Sequence, residues 1–125
     1  MRIIIINALT SKDLKMKRLL SVTLLSLACA SAFAAGPEEF TLTIKDHAFE
    51  PKEMTIPAGK KIKLLVVNKD ATPAEFESKQ LGREQVIPGN STVTINLGPL
   101  KPGRFAFVEE YHEKSPAAQG TLIVK

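Results

Sequence analysis

The sequence predicts an all-β domain, a Greek-key β-sandwich of seven or eight short strands. Three observations predict this fold class. Apolar and polar residues alternate in several short segments, turn signals that contain glycine or proline separate these segments, and no stretch keeps the helical period of about 3.6 residues. Immunoglobulin-like adhesive or structural modules have the same pattern, so the fold class alone does not assign a function.

The first half of the predicted domain contains three strands. Residues 40–45 alternate cleanly and lead into a loop over 46–51. Residues 53–57 form the second strand, which ends in a Pro-Ala-Gly turn. Residues 61–68 alternate at first and then become continuously apolar, which indicates a central strand that is buried on both faces.

The second half contains the remaining strands. Two short strands over 75–78 and 83–87 precede an alternating segment over 91–97. After a turn rich in glycine and proline, the next strand starts at residue 103 and runs straight into a group of polar residues. An apolar run over 122–124 then closes the chain.

Residues 1–34 have the features of a secretory signal peptide: a basic start, an apolar run and small residues at the end. The small-x-small pattern that ends at Ala34 places the start of the mature protein near Ala35. Met16 is an alternative initiator, because a complete signal follows it. The apolar run is too short to span a bilayer comfortably. We therefore expect export to the periplasm and one domain over residues 35–125.

Charge gives no reason to expect a nucleic-acid partner. The formal net charge is +4, and residues 1–34 account for all of it, because they hold five basic residues and one acidic residue. The predicted domain is therefore neutral. Cys29 is the one cysteine of the chain and leaves with the leader, so the domain offers neither a disulfide nor a thiolate ligand.

Three potential metal ligands, Glu109, Glu110 and His112, directly follow the strand that begins at residue 103. Many binding sites are built in this way, by a rigid strand that carries polar side chains at its end and a loop that follows. On an extended strand Glu109 and His112 would lie on opposite faces. The alternative for His112 is a loop histidine that bonds only to backbone groups.

Glu75 and Glu77 lie two residues apart on a strand, so both carboxylates face one side and Phe76 faces the other. Such close like charges repel unless a cation or a lysine lies between them. The alternative is a solvated strand face on which Lys69 or Lys79 is the partner. No nucleophile with a poised histidine is evident, and we expect no catalytic residues.

Several short motifs follow one another along the predicted domain. They are Phe49-Glu-Pro51, Met54-Thr-Ile-Pro-Ala-Gly59, the apolar strand that ends at Asn68, Pro73-Ala-Glu-Phe76, Ile87-Pro-Gly89, Pro102-Gly-Arg-Phe-Ala-Phe107, His112 and Gly120-Thr-Leu-Ile-Val124. In this order they resemble the cupredoxin family over residues 39–125. The copper site of that family uses two histidines, a cysteine and a weak axial methionine. This chain has Ala74 at the first histidine position and Glu109 at the cysteine position, and it keeps His112. The resemblance therefore implies no blue copper centre.

The residues that replace the copper ligands are similar to those in the cupredoxin domains of periplasmic iron-uptake systems. These include the EfeO-type iron-binding protein and the small cupredoxin component of FtrABCD-type ferrous-iron transporters. In such domains a Glu-aromatic-Glu strand, here residues 75–77, replaces the histidine motif. The resemblance also implies that the chain turns at Glu110, which lets Glu109 and His112 converge. His47, in the loop after the first strand, is a further ligand candidate, although a lone loop histidine is more often exposed and idle.

The resemblance implies a site for an iron or copper ion formed by Glu75, Glu77, Glu109, His112 and His47. Carboxylates with one imidazole suit iron, manganese or zinc better than Cu(I). The implied role is to pass or oxidise ferrous iron, with a periplasmic iron-binding partner and an inner-membrane iron permease. Two alternatives remain, a copper-binding or copper-delivery protein and a metal-free interaction module on the same fold.

Overall fold

The computed structural model describes residues 36–125, which form nine strands and two short 3₁₀ helices. The predicted leader, with Met16 and the expected cleavage position, lies outside the described residues. The strands are β1 (Glu38–Lys45), β2 (Ala48–Glu50), β3 (Glu53–Ile56), β4 (Ile62–Asn68), β5 (Ala74–Ser78), β6 (Arg83–Ile87), β7 (Ser91–Leu97), β8 (Gly103–Glu109) and β9 (Gln119–Val124). The 3₁₀ helices are Glu110–His112 and Pro116–Ala118. In this part of the chain, no helix is long and apolar enough to cross a membrane.

The strands form two sheets that share one apolar core, so the predicted β-sandwich is confirmed. One sheet has the order β2-β1-β4-β7, and the other has the order β3-β9-β8-β5-β6. The chain changes sheet after β2, β3, β4, β6 and β7, and within the sheets β1 runs parallel to β4 and β3 parallel to β9. Strands that alternate between two sheets bury one face each, which explains the period-two pattern of the sequence.

Alternate residues of both sheets point into the core. Its members are Leu42, Ile44, Phe49, Met54, Ile56, Ile62, Leu64, Val66, Ala74, Phe76, Ile87, Ile95, Leu97, Phe107, Leu122 and Val124. The predicted burial of both faces of β4 is wrong in part. Its inner residues are buried, but on the outer face Lys63 is exposed and Leu65 and Val67 are half-buried, because only one face of this sheet packs on the core.

Three phenylalanines form the part of the core that lies beside the polar residues of the strand ends. Phe49 of β2 meets Phe107 of β8 edge to face, with ring centroids 4.8 Å apart. Phe76 of β5 lies 5.3 Å from Phe107 and 6.3 Å from Phe49. The contacts join both sheets at the end where β2 begins and β8 ends.

The number of strands exceeds the predicted seven or eight because residues 48–50, which were expected to be loop, pair with β1. Asp46 and His47 form a two-residue turn, and both have left-handed backbone conformations with φ of 52° and 60°. A turn with two positive φ angles matches the twist of a hairpin, so the chain folds straight back and Lys45 pairs with Ala48. His47 consequently lies at the tip of this first hairpin.

Candidate metal centre

Glu109 is the last residue of β8 and is fully buried at the end of the sandwich. A buried carboxylate requires hydrogen-bond donors around it. Its Oε1 atom accepts hydrogen bonds from the backbone N–H of Glu75, at 3.0 Å, and of Tyr111, at 3.2 Å. The second of these bonds caps the 3₁₀ helix that follows, so Glu109 also ends the strand and starts the turn.

The 3₁₀ turn brings His112 back over Glu109, as the family resemblance implied. Residues three apart lie one above the other on such a helix. The Oε2 atom of Glu109 contacts Nδ1 of His112, while Oε1 keeps its two backbone donors. The side chain of His112 is 37% exposed and that of Glu109 is 1% exposed, so the pair extends from the buried end of β8 to the protein surface.

His47 approaches His112 from the opposite sheet. The two imidazole rings are stacked, with centroids 3.7 Å apart and planes inclined by 15°. The Nδ1 atom of His47 lies 3.5 Å from Oδ2 of Asp70. The structure therefore places His47 against His112 instead of leaving it isolated in its loop.

His47, Glu109 and His112 form a group in which one ligand atom of each lies within 4.8 Å of the others. Two imidazoles and one carboxylate are a donor set for a transition metal. Stacked rings direct their nitrogen lone pairs side by side, so one ring must rotate for both imidazoles to bind a single ion.

A second group, formed by Glu75, Glu84 and Glu110, lies beside the first one, with ligand atoms again within 4.8 Å of one another. A hydrogen bond shared with Glu75 and the charge of Glu75 raise the pKa of Glu84. Burial and then the charge of Glu75 raise the pKa of Tyr111, which also shares a hydrogen bond with Glu75. Glu84 is not recognisable as a candidate from the sequence, because its proximity to Glu75 depends on the pairing of β5 with β6.

Glu77 belongs to neither group. It pairs across the sheet with Glu84 on one side and with Val108 on the other, and it lines a groove of about 900 Å³ over the outer face of the larger sheet. That groove does not include His47, Glu109 or His112. Of the five residues expected to form one site, the structure thus brings together three, places Glu75 in the adjacent group and leaves Glu77 apart.

The residues present do not fit a blue copper ion. The described residues contain no cysteine, and Glu109 occupies the position expected for the thiolate. Met54 lies in the core and is 7% exposed. The donor set at this end of the sandwich is nitrogen and oxygen, without the sulfur that defines a blue copper centre.

The two-sheet β-sandwich with this strand order is a cupredoxin-like fold. The chain belongs to the cupredoxin-like domain family, whose model matches residues 18–124. An uncharacterized protein of Rickettsia prowazekii (strain Madrid E), RP394, is 41% identical over 86 residues, which cover 69% of this chain and 67% of the relative.

Solved structures have the same fold at low sequence identity. Auracyanin A, a blue copper protein of Chloroflexus aurantiacus, has a TM-score of 0.61 and 17% identity, and the match covers 72% of this chain and 100% of that one. The metal-binding domain of the Cu(I)-exporting P-type ATPase CopA from Streptococcus pneumoniae D39, solved with Cu(I), has a TM-score of 0.61 and 14% identity, over 75% and 91% of the two chains. At these identities the likeness establishes the fold alone.

Proposed function

We propose that this protein is a periplasmic iron-binding protein that holds ferrous iron through His47, Glu109 and His112 for transfer to a membrane iron permease. The observation that carries the proposal is the convergence of two imidazoles and one carboxylate at one end of the sandwich. Two histidines and one carboxylate, with the remaining positions open, are a typical donor set for Fe(II).

The open positions suit a carrier. An ion bound by three protein groups keeps coordination positions for water or for a ligand from the next protein. The next protein can therefore bind the ion before this protein releases it. His47 and His112 are partly exposed, which gives a partner access to the ion. The resemblance to iron-uptake cupredoxin domains, of the EfeO type and the FtrABCD type, supports a periplasmic iron-binding partner and an inner-membrane permease.

The carboxylates of Glu75, Glu84 and Glu110 support the same role from beside the site. They add negative charge where a cation must enter, and local charge of one sign raises the local concentration of the opposite ion. In this proposal they attract the ion, and the two histidines and Glu109 bind it.

Calorimetric titration of the purified protein with anaerobic Fe(II) tests the proposal. Where the purified protein still carries the leader, Cys29→Ser removes the thiol of residue 29 from the titration. We expect one saturable site, lost in His112→Ala and retained in the control Glu77→Ala, because Glu77 belongs to neither group of potential ligands. The absence of Fe(II) binding, or equal binding by wild type and His112→Ala, would overturn the assignment.

A copper-binding role is the second candidate, and the two stacked imidazoles favour it, because imidazole is also a good ligand for copper. Affinity alone does not separate the metals, since Cu(II) binds most nitrogen and oxygen sites more tightly than Fe(II). Deletion of the gene does separate the iron role from the copper role. We expect lower cellular iron during iron limitation and unchanged tolerance to copper, whereas altered copper tolerance with normal iron would favour the copper role.

A further inference from the structure

We infer that Asp70 is a positioning residue that holds His47 beside His112 at the proposed metal site. This inference rests on the proposed function, because it concerns the same site. Asp70 lies in the loop after β4. Of the three proposed ligands it contacts His47 alone. The sequence pattern alone does not indicate that it lies at the site.

The tip of the first hairpin needs outside support. Asp46 and His47 both have positive φ, a conformation that is unfavourable for any residue with a Cβ atom. Such conformations persist where the surrounding structure imposes them, and they concentrate at functional sites. Here the conformation turns the His47 ring toward His112.

The Asp70 carboxylate supplies that support through both of its oxygens. Oδ1 accepts a hydrogen bond from the backbone N–H of Asp46 at 2.8 Å, and Oδ2 accepts one from that of His47 at 3.0 Å. The two bonds therefore hold the backbone of the turn in this conformation.

The same carboxylate also faces the His47 ring, because Oδ2 lies 3.5 Å from Nδ1. Histidines that bind metals commonly have a carboxylate beside the ring nitrogen that does not bind the ion, and this neighbour fixes the ring orientation. In this arrangement Nε2 of His47 is the nitrogen available to the ion.

Asp70 is itself held by buried groups. The fully buried Asn68 accepts a hydrogen bond from the Asp70 N–H at 3.0 Å, and its own amide donates to the carbonyls of Thr72 and Ile87 at 2.9 and 3.2 Å. The Asp70 carbonyl accepts from the N–H of Asn90 at 2.8 Å. The carboxylate is thus fixed by the end of β4 and by the turn before β7.

A double-mutant cycle for anaerobic Fe(II) binding tests whether Asp70 acts through His47. We expect Asp70→Ala to weaken binding about tenfold or more, in the range known for groups that orient metal ligands. The same substitution in a His47→Ala background should have no further effect, because the group it positions is gone. Equal losses in both backgrounds, or wild-type affinity of Asp70→Ala, would overturn the inference.

The control variant is Asp46→Gly, which keeps both N–H donors and tolerates positive φ, so its affinity should remain that of wild type. Thermal unfolding identifies variants that do not fold. If Asp70→Ala is among them, Asp70→Asn, which keeps one acceptor oxygen, takes its place in the cycle.

Proton NMR of the metal-free protein separates a failure of the inference from a failure of the proposed function. The chain has two histidines, so the ring signals can be assigned directly. In wild type we expect contacts between the His47 and His112 rings, and in the folded Asp70 variant we expect their loss. Contacts that persist in the variant would overturn the inference, whether or not the wild type binds iron.

Discussion

The imidazole rings of His47 and His112 lie stacked, with centroids 3.7 Å apart, although one belongs to the first hairpin and the other to the turn after β8. The core explains how two such distant segments meet. Phe49, two residues after His47, packs edge to face on Phe107, two residues before Glu109. This aromatic contact therefore holds β2 and β8 together, next to the turns in which His47 and His112 lie.

Substitution of His47 tests which of the two groups binds the ion. We expect His47→Ala to weaken anaerobic Fe(II) binding by at least about tenfold, which corresponds to roughly 1.4 kcal/mol of lost binding free energy. The matched variant is Glu84→Gln in the neighbouring carboxylate group, and it should change the affinity little. A larger loss of affinity in Glu84→Gln than in His47→Ala, measured by calorimetry, would place the ion on the carboxylates instead.

Glu109 has a structural role in addition to its proposed role as a ligand, and two substitutions separate these roles. Glu109→Ala removes the acceptor of the Glu75 and Tyr111 N–H groups, and an unsatisfied buried donor costs about 1–3 kcal/mol. Glu109→Gln keeps an acceptor oxygen but not the charge. We expect both variants to lose Fe(II) binding and the alanine variant to lose more stability in urea unfolding. Equal stability of the two variants would contradict the hydrogen-bond assignment.

Gly120 faces Phe107 across the β8–β9 pair and leaves no room for a side chain. A Cβ atom there would lie 2.3 Å from the Phe107 ring and 2.9 Å from the carbonyl oxygen of Lys52. We expect Gly120→Ala to lower the free energy of unfolding by about 1–3 kcal/mol, as overpacking does. Gly103→Ala is the control, because its nearest contact would be an ordinary 3.5 Å. Equal unfolding free energies for the two variants would show that Phe107 does not pack on Gly120.

The interaction between Glu75 and Glu84 predicts a pH-dependent stability. A hydrogen bond shared with Glu75 and the charge of Glu75 raise the pKa of Glu84 above its ordinary value of 4.5. A raised pKa means that the folded state holds the proton more tightly, so this contribution to stability is present below pH 4.5 and is lost as the pH rises through the raised pKa.

At neutral pH the charged Glu84 therefore opposes folding, and Glu84→Gln should raise the melting temperature of the metal-free protein. The gain should shrink as the pH falls toward about 4. In a Glu75→Gln background the gain should be absent, since the repelling charge is gone. A gain that is the same at both pH values, or that persists without Glu75, would contradict the proposed interaction between Glu75 and Glu84.

The sequence predicted most of the fold because strands of a sandwich bury one face, and this imposes a period of two on β1, β7 and β8. It did not predict β2, for two physical reasons. The strand has three residues, too few for a visible period, and its hairpin turn is Asp-His instead of a glycine-containing pair such as Asn-Gly.

The site was predictable only where its members are close in the sequence. Glu109 and His112 are three residues apart and meet through one local turn, which the family resemblance implied. The approach of His47, the support from Asp70 and the proximity of Glu84 to Glu75 all depend on strand pairing and sheet packing between distant segments. Glu77 shares a strand face with Glu75, but it lines a groove that does not include the histidines.

X-ray absorption at the iron edge of the Fe(II)-loaded protein, prepared without oxygen, identifies the atoms that surround the bound ion. We expect two imidazole rings bound to each iron and no sulfur, with one imidazole remaining in His47→Ala. A shell of oxygen atoms without imidazole would contradict the assignment of the iron to His47, Glu109 and His112, and would place it on Glu75, Glu84 and Glu110.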